Sequence, residues 1–381
     1  MDTLEKLKPQ TPADLCQIIR EARSHHYGVI PCGRGHLVEQ LMVPTSRPVK
    51  LVSSEKFTRI IDLDVKNLSV KAEAGMTLAE LDEILKSYNL FLPLTVESHG
   101  HRTLGGLVAE DAAGYESHLY DTVQNHILGL DFVTPYGTLV KTGGKTVKNV
   151  SGYDFTRLFA RSFGTLGFIT AITFKLRPQL EKRTVLLIDG LSTVQDAYRL
   201  AKEIKAGKYS LTALRIFRPG EAGAPWKLVV NLGGFAETVT RHLSTLQNLC
   251  ASYQQHVWED SQGFWRRYYQ EIMPSQPDRI TIRAGKGQVW KLADLLSQVV
   301  RLEQNYFCDI DLGMGDVHFG APAKFRLELQ QQLVTLGREL ALSYSWETPP
   351  LDPLYRKLKA ALDPDRIMFP CHAWLGGGEL D

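Results

Sequence analysis

Residues 142–178, TGGKTVKNVSGYDFTRLFARSFGTLGFITAITFKLRP, restrict the architecture more than any other part of the chain. Gly143-Gly144 opens the stretch and a polar turn follows at residues 148–154. Phe155, Leu158 and Phe159 share one face of a short amphipathic helix. Gly164-Thr165-Leu166-Gly167 then leads into the apolar run 168–176, which reads as a buried strand stopped by Pro178. Glycines at the start of a strand let a flat ligand approach the backbone closely. The order is wrong for the dinucleotide fold, in which the glycines follow the first strand and open a helix.

Two further glycine phrases precede it. Cys32-Gly33-Arg34-Gly35-His36-Leu37 follows a short strand at Val29-Ile30 and Pro31. Two glycines around a basic residue can turn backbone N–H groups inward, a site for pyrophosphate, and a plain tight turn has the same pattern. Thr103-Leu104-Gly105-Gly106 opens a helix, where unobstructed N–H groups and the positive helix end suit an anion. Just before it, His99 and His101 flank Gly100. Two close histidines without a further placed ligand are poor evidence for a metal, and none is expected. Gly143-Gly144-Lys145-Thr146 ends like a phosphate-binding P-loop, but Leu139 stands where that motif needs a glycine.

Three phrases in this order, LSVKAEAGMTLAELDEIL (68–85), TLGGLVAEDAAG (103–114) and KNVSGYDFTRLFARSFGTLGFIT (148–170), resemble the FAD domain of the vanillyl-alcohol oxidase flavoprotein family, and within it the FAD-binding E-type subunits of glycolate oxidase (glycolate dehydrogenase). The likeness covers the first half well and the C-terminal half only loosely. It implies bound FAD held by Cys32, Gly33, Arg34, Gly35, His36, Leu37, Gly100, Thr103, Leu104, Gly105, Gly106, Gly164, Thr165, Gly167 and Ile169. Gly33-Arg34-Gly35-His36 also matches the phrase whose histidine bonds FAD covalently in some relatives. Leu37 departs from the serine usual there, and glycolate oxidase E subunits hold FAD without a bond. Both states stay open.

The resemblance implies an α+β architecture: a two-part FAD-binding domain over residues 1–178, with its pyrophosphate loop at 31–37, and an α+β cap for substrate or interface over 179–348. Residues 349–381 form a closing segment of helix, Asp-Pro turn and a strand back onto the FAD domain. The local patterns agree. Thr11 and Thr77 are N-cap candidates, Thr77 with Glu80 three residues on, for helices over 11–27 and 77–88. Strands of one small sheet are expected at 49–52, 59–63 and 68–73, and a hairpin at 127–133 and 138–141. Past Pro178 strands (186–188, 212–217, 226–232, 280–284, 309–312) alternate with helices (193–205, 236–253, 289–301, 324–340), giving a sheet covered on one face by helices.

A net charge of +2 offers nothing to nucleic acid, no apolar run is long enough for a membrane span, and MDTLEKLKPQ lacks the shape of a signal peptide. The five cysteines are scattered, as expected of reduced thiols in a cytoplasmic protein, so an iron–sulfur cluster would have to come from a partner.

Oxidation of a 2-hydroxy acid needs a base for the hydroxyl proton, a cation for the carboxylate and a flavin for the hydride. The base candidate is His318, in GMGDVHFG (313–320), a loose echo of a metal- and substrate-binding phrase in D-type subunits. Arg215 and Arg283, each in a short cap strand, are the cation candidates. The resemblance points to a 2-hydroxy-acid-oxidising complex with a flavoprotein D-type and an iron–sulfur F-type subunit, in the cytoplasm or at the inner membrane through those partners. A free-standing FAD oxidase of a sugar lactone or alcohol and a non-catalytic flavin-binding assembly subunit are the alternatives. Residues 258–269, aromatic and charged, are a candidate contact surface.

Overall fold

The computed structural model describes residues 4–35, 45, 47–96, 101–144, 155–221, 223–272, 279–283, 289, 291, 306–320, 343–346 and 353–369. The chain divides into two compact units. The first comprises residues 1–113, 122–179 and 350–381, and the second 114–121 and 180–349. Both are mixtures of helix and sheet.

In the first unit, β1 (Lys6–Leu7), β2 (Gly28–Cys32) and β3 (Val49–Ser53) form a parallel sheet in the order β1-β3-β2. β1 and β2 flank β3 in the same direction, and the helix Pro12–Ser24 is the crossover that connects them. Thr11 caps this helix in a reciprocal box with Asp14, and Leu15, Cys16, Ile19 and Ala22 bury its apolar stripe.

A second, antiparallel sheet has the order β4-β5-β9-β7-β8, from β4 (Ile60–Asp64), β5 (Ser69–Glu73), β7 (Ile127–Val133), β8 (Leu139–Gly143) and β9 (Phe168–Lys175). The two-residue strands β6 (Leu90–Phe91) and β10 (Arg177–Pro178) pair separately. The glycine-led strand 168–175 is the central one. It is buried at every position but the last, which is why it reads as a continuous apolar run. The expected single sheet for 49–52, 59–63 and 68–73 is corrected. β3 joins the parallel sheet, while β5 pairs with β9 and carries β4 at its edge. Strand-like composition is the same in both settings, and only the distant partners differ.

The closing segment is a helix, Pro353–Leu362, followed by a return to β2. Met368 bridges Val29 in parallel, with Val29 N–H donating to Ile367 O at 2.7 Å and Phe369 N–H to Val29 O at 2.7 Å. Ile367 and Met368 pack into the cluster of Leu15, Ile19 and Val29.

The second unit is built on an eight-stranded antiparallel sheet. Its strands are β11 (Lys182–Leu191), β12 (Leu211–Arg218), β13 (Trp226–Gly234), β14 (Gln254–Trp258), β15 (Arg279–Arg283), β16 (Phe307–Asp311), β17 (Asp316–Gly320) and β18 (Ser343–Trp346). Their order is β14-β11-β13-β12-β16-β17-β15-β18. The helices Val194–Ala206 and Ala236–Leu249 press Ala197, Ala201, Ile204, Val239 and Leu246 onto one face.

The other face is covered too, which corrects the expectation of helices on one side. Phe264 and Trp265 of the helix Ser261–Arg267, with Tyr115 and Tyr268, pack there on Val185, Ala213, Phe217 and Val229. Tyr115 stacks on Trp265 with ring centroids 4.6 Å apart. The segment 258–269 therefore spends its largest aromatics on the core, with Trp265 1% and Tyr268 0% exposed. The helix expected to reach residue 253 ends at Leu249, and residues 254–258 instead extend the sheet beside β11. The helices expected at 289–301 and 324–340 lie outside the described residues, apart from 289 and 291.

Candidate functional site

In the first unit, segments far apart in sequence converge on one cleft. Pro31–Gly35 forms one wall, residues 101–110 a second and residues 163–169 a third, completed by Ser54 and Phe369. The space between these walls is ≈ 820 Å³ with its open mouth included. The walls touch through glycine. A Cβ on Gly33 would stand 2.3 Å from Thr103 Oγ1, and one on Gly105 would stand 2.9 Å from Ala74 Cβ. Gly35 takes φ +89° with open space beside it, and Gly164 takes φ +77° against Pro31. The cradle is therefore surfaced by bare backbone where side chains would otherwise fill it.

Of the residues expected at a cofactor, Cys32, Gly33, Arg34, Gly35, Thr103, Gly105, Gly106, Gly164, Gly167 and Ile169 line this cleft. Leu104 is fully buried in the hydrophobic core, and Thr165 is turned inward, donating to Ser162 O at 2.7 Å and lying 2.8 Å from the Tyr355 hydroxyl. His36, Leu37 and Gly100 lie outside the described residues, as does His99. Sequence reasoning missed Ser54 and Phe369, and no local signal marks either one. Cys32 lies beside the glycines with its thiol raised by burial.

The first N–H groups of the helix Leu104–Glu110 are not open to an anion as expected. Leu104 N–H donates to Met76 O and Gly105 N–H to Ala74 O, both at 2.8 Å, and Gly106 N–H is capped by Thr103 Oγ1 at 3.3 Å. The two glycines here serve close approach rather than anion binding. The basic side chains of the lining are Arg34, Arg102 and His101. Arg34 Nη2 lies 3.0 Å from Glu80 Oε1, and Arg102 pairs with Glu110. Glu80 is held below its usual range, first by the Thr77 N–H that it receives in the capping box and also by Arg34.

In the second unit, β12, β16, β17 and β15 carry a polar row. Arg215 pairs with Asp311, Asp311 with Asp316, and Asp316 with Arg283. The next row runs Phe217, Asp309, His318, Thr281. Directly paired residues of β12, β16 and β17 share a face. Arg215 is committed within this face. Its Nε and Nη2 donate to Asp309 at 3.2 and 2.8 Å, and Asp311 lies 3.6 Å away. The Tyr268 hydroxyl donates to Asp309 as well. Burial raises the Asp309 carboxyl and Arg215 opposes the rise. Asp311 also accepts Ser117 Oγ–H at 2.9 Å and the N–H groups of Gly313 and Met314. The fork of Arg215 is thus occupied by carboxylates of its own sheet. His318 is half-buried in β17, and Arg283 ends β15.

Residues 6–143 match a family model described as "FAD binding domain". The first unit therefore contains an FAD-binding domain. Similar curated proteins include "Glycolate oxidase subunit GlcD" of Bacillus subtilis, 28% identical over 64% of this chain and 54% of that protein. "D-lactate dehydrogenase" of Archaeoglobus fulgidus is 33% identical over 52% of this chain and 44% of that one. "D-2-hydroxyglutarate dehydrogenase" of Stutzerimonas stutzeri is 23% identical over 81% and 65%. The chain thus spans about half the length of the first two relatives. The solved structure of an alkyldihydroxyacetonephosphate synthase superposes with a TM-score of 0.70, covering 95% of this chain and 75% of that one at 16% identity, a likeness of fold. The FAD domain fits its cofactor on its own geometry, because walls brought together at glycines, with open space beside Gly35, leave bare backbone for a flat ring system joined to a pyrophosphate.

Proposed function

We propose that this chain is the FAD-binding component of a 2-hydroxy-acid dehydrogenase of the glycolate oxidase type, working with partner subunits. One observation carries the reading. Beside a cleft shaped for FAD, all three named relatives carry a 2-hydroxy acid, or the oxidase of one, in their names. Bound FAD supplies the hydride acceptor. His318 takes the hydroxyl proton from its place in the polar rows of β17, and Arg283 of β15 holds the carboxylate. Arg215 acts behind them, fixing Asp309 directly across from His318.

Electrons leave through a partner. Cys16, Cys32, Cys250 and Cys308 are free and buried, and no cluster of metal-ligating side chains occurs among the described residues. The flavoprotein D-type and iron–sulfur F-type subunits of the resemblance are the partners proposed. Among the described residues no helix is long and apolar enough to cross a membrane, so attachment to one would run through those partners.

The test is anaerobic mixing of the purified chain with glycolate, D-lactate and D-2-hydroxyglutarate, alone and with the partner subunits, while flavin absorbance is followed. Bleaching that needs the partners supports the reading in full. Rapid bleaching of the isolated chain, abolished by His318→Ala, would keep the substrate class and remove the partners. No bleaching by any of the acids in either state would refute it. Acid precipitation of the same sample shows whether His36 holds the flavin covalently.

A further inference from the structure

The Lys359 ammonium lies inside the FAD domain, its side chain 5% exposed. Its three N–H donors meet three acceptors: Thr165 O at 2.5 Å, Asp363 Oδ2 at 2.5 Å and Met368 O at 2.7 Å. An ammonium has three donors and no acceptor, so these partners satisfy it completely. Two of them are backbone carbonyls from segments about 200 residues apart, and each is one residue from a cleft wall. Gly164 precedes Thr165, and Phe369 follows Met368. Asp363 also accepts the N–H groups of Ile367 at 2.9 Å and Met368 at 2.8 Å, fixing the return of the chain after the helix. One helical turn before Lys359, the Tyr355 hydroxyl lies 2.8 Å from Thr165 Oγ1 and 3.3 Å from Ser162 O.

A buried ammonium is an expensive way to fill space, and an apolar side chain of similar volume fills it at least as well. What the ammonium adds is direction, since it fixes three acceptors around one point. The Val29 backbone bonds and Asp363 already hold the 367–369 return, so what the ammonium supplies is the direct link from that return to the 162–165 turn.

We propose that Lys359 is a positioning residue of the cofactor site: it ties the cleft wall at Gly164 to the wall at Phe369 and thereby sets the affinity for FAD. The inference rests on the FAD assignment of the cleft.

The experiment compares wild type, Lys359→Met and Tyr355→Phe as full-length proteins. FAD is removed and titrated back, visible circular dichroism of the bound flavin is recorded, and the apoproteins are melted. Lys359→Met is expected to raise the FAD dissociation constant about tenfold or more and to change the flavin dichroism. Tyr355→Phe, which loses one hydroxyl against the same wall, is expected to raise it about threefold. A folded Lys359→Met with wild-type affinity and dichroism, and only a lower apoprotein melting temperature, would show a purely structural lysine and overturn the proposal. If Lys359→Met does not fold, an unchanged affinity in Tyr355→Phe overturns it instead. Wild type that fails to rebind FAD would refute the cofactor assignment itself, a separate outcome.

Discussion

Gly105 packs so closely on Ala74 that a Cβ would lie 2.9 Å from the alanine Cβ and 3.1 Å from its carbonyl oxygen. Gly105→Glu would force that contact apart and set a carboxylate in the cleft. FAD occupancy is expected to fall about tenfold or more, read as the ratio of flavin to protein absorbance in the purified variant. Wild-type occupancy would remove Gly105 from the site. Arg215 behaves differently. Its guanidinium is inside the second unit and held by Asp309, so Arg215→Met leaves a buried carboxylate without its cation. Breaking a buried pair from one side costs about 3–5 kcal/mol. The expected result is a fall in the melting temperature of the second unit with flavin content intact. A rise in KM without loss of stability would instead make Arg215 a direct substrate ligand.

At the level of elements, the two-residue β1 shows how little backbone pairing an edge strand can rely on. It pairs in register with Leu51 and Val52 of β3 and is reinforced by Glu55, which pairs with Lys6 and, at 2.7 Å, with Lys8. Partial burial raises the Glu55 carboxyl, but the two ammonium groups outweigh it and bring it from 4.5 down to about 2. A carboxyl lowered in the folded state adds stability that is complete above its unfolded value of 4.5 and disappears as pH falls through about 2. Wild type and Glu55→Gln should therefore differ in melting temperature above pH 4.5 and converge towards pH 2. A gap that persists at the acid end would mean that Glu55 acts through packing rather than charge.

Across the whole molecule, neither unit is one continuous stretch of chain. The first takes its last piece from residues 350–381, and the second takes in residues 114–121. Arg183 Nε donates to Glu116 Oε1 at 3.2 Å, Ser117 Oγ–H to Asp311 Oδ2 at 2.9 Å, and Tyr115 stacks on Trp265, so the short excursion is built into the second unit. A chain ending at residue 349 would lack Ile367, Met368 and Phe369, each 1% exposed or less and packed on the sheet of β2 and β3. This truncation is expected to lose FAD and to become sensitive to protease within the first 60 or so residues, while the sheet of the second unit stays resistant. Full FAD content in the truncated chain would show that the return segment is dispensable.

Much of this was legible in the chain alone, because it depends on neighbours in sequence. Thr11 and Thr77 announce their helices through a side chain that reaches only three residues on. The hairpin of β7 and β8 follows from a turn at Gly137, and the glycine phrases mark where bare backbone is needed. The family pattern in those phrases gave FAD and ten of the residues that line the cleft. What remained hidden depends on partners far along the chain. Ser54 and Phe369 reach the cleft only because β3 and the return segment flank β2. Arg215 looks like a free cation until the neighbouring strand brings Asp309, 94 residues away, against its guanidinium. Leu104 and Thr165 sit in phrases that touch FAD in the family, yet the helix and turn that carry them direct both side chains inward. The sequence by itself determined the local turns, caps and cofactor class. Tertiary structure alone decided which charges neutralise one another and which walls meet, because electrostatic pairing and burial depend on distance in space and not along the chain.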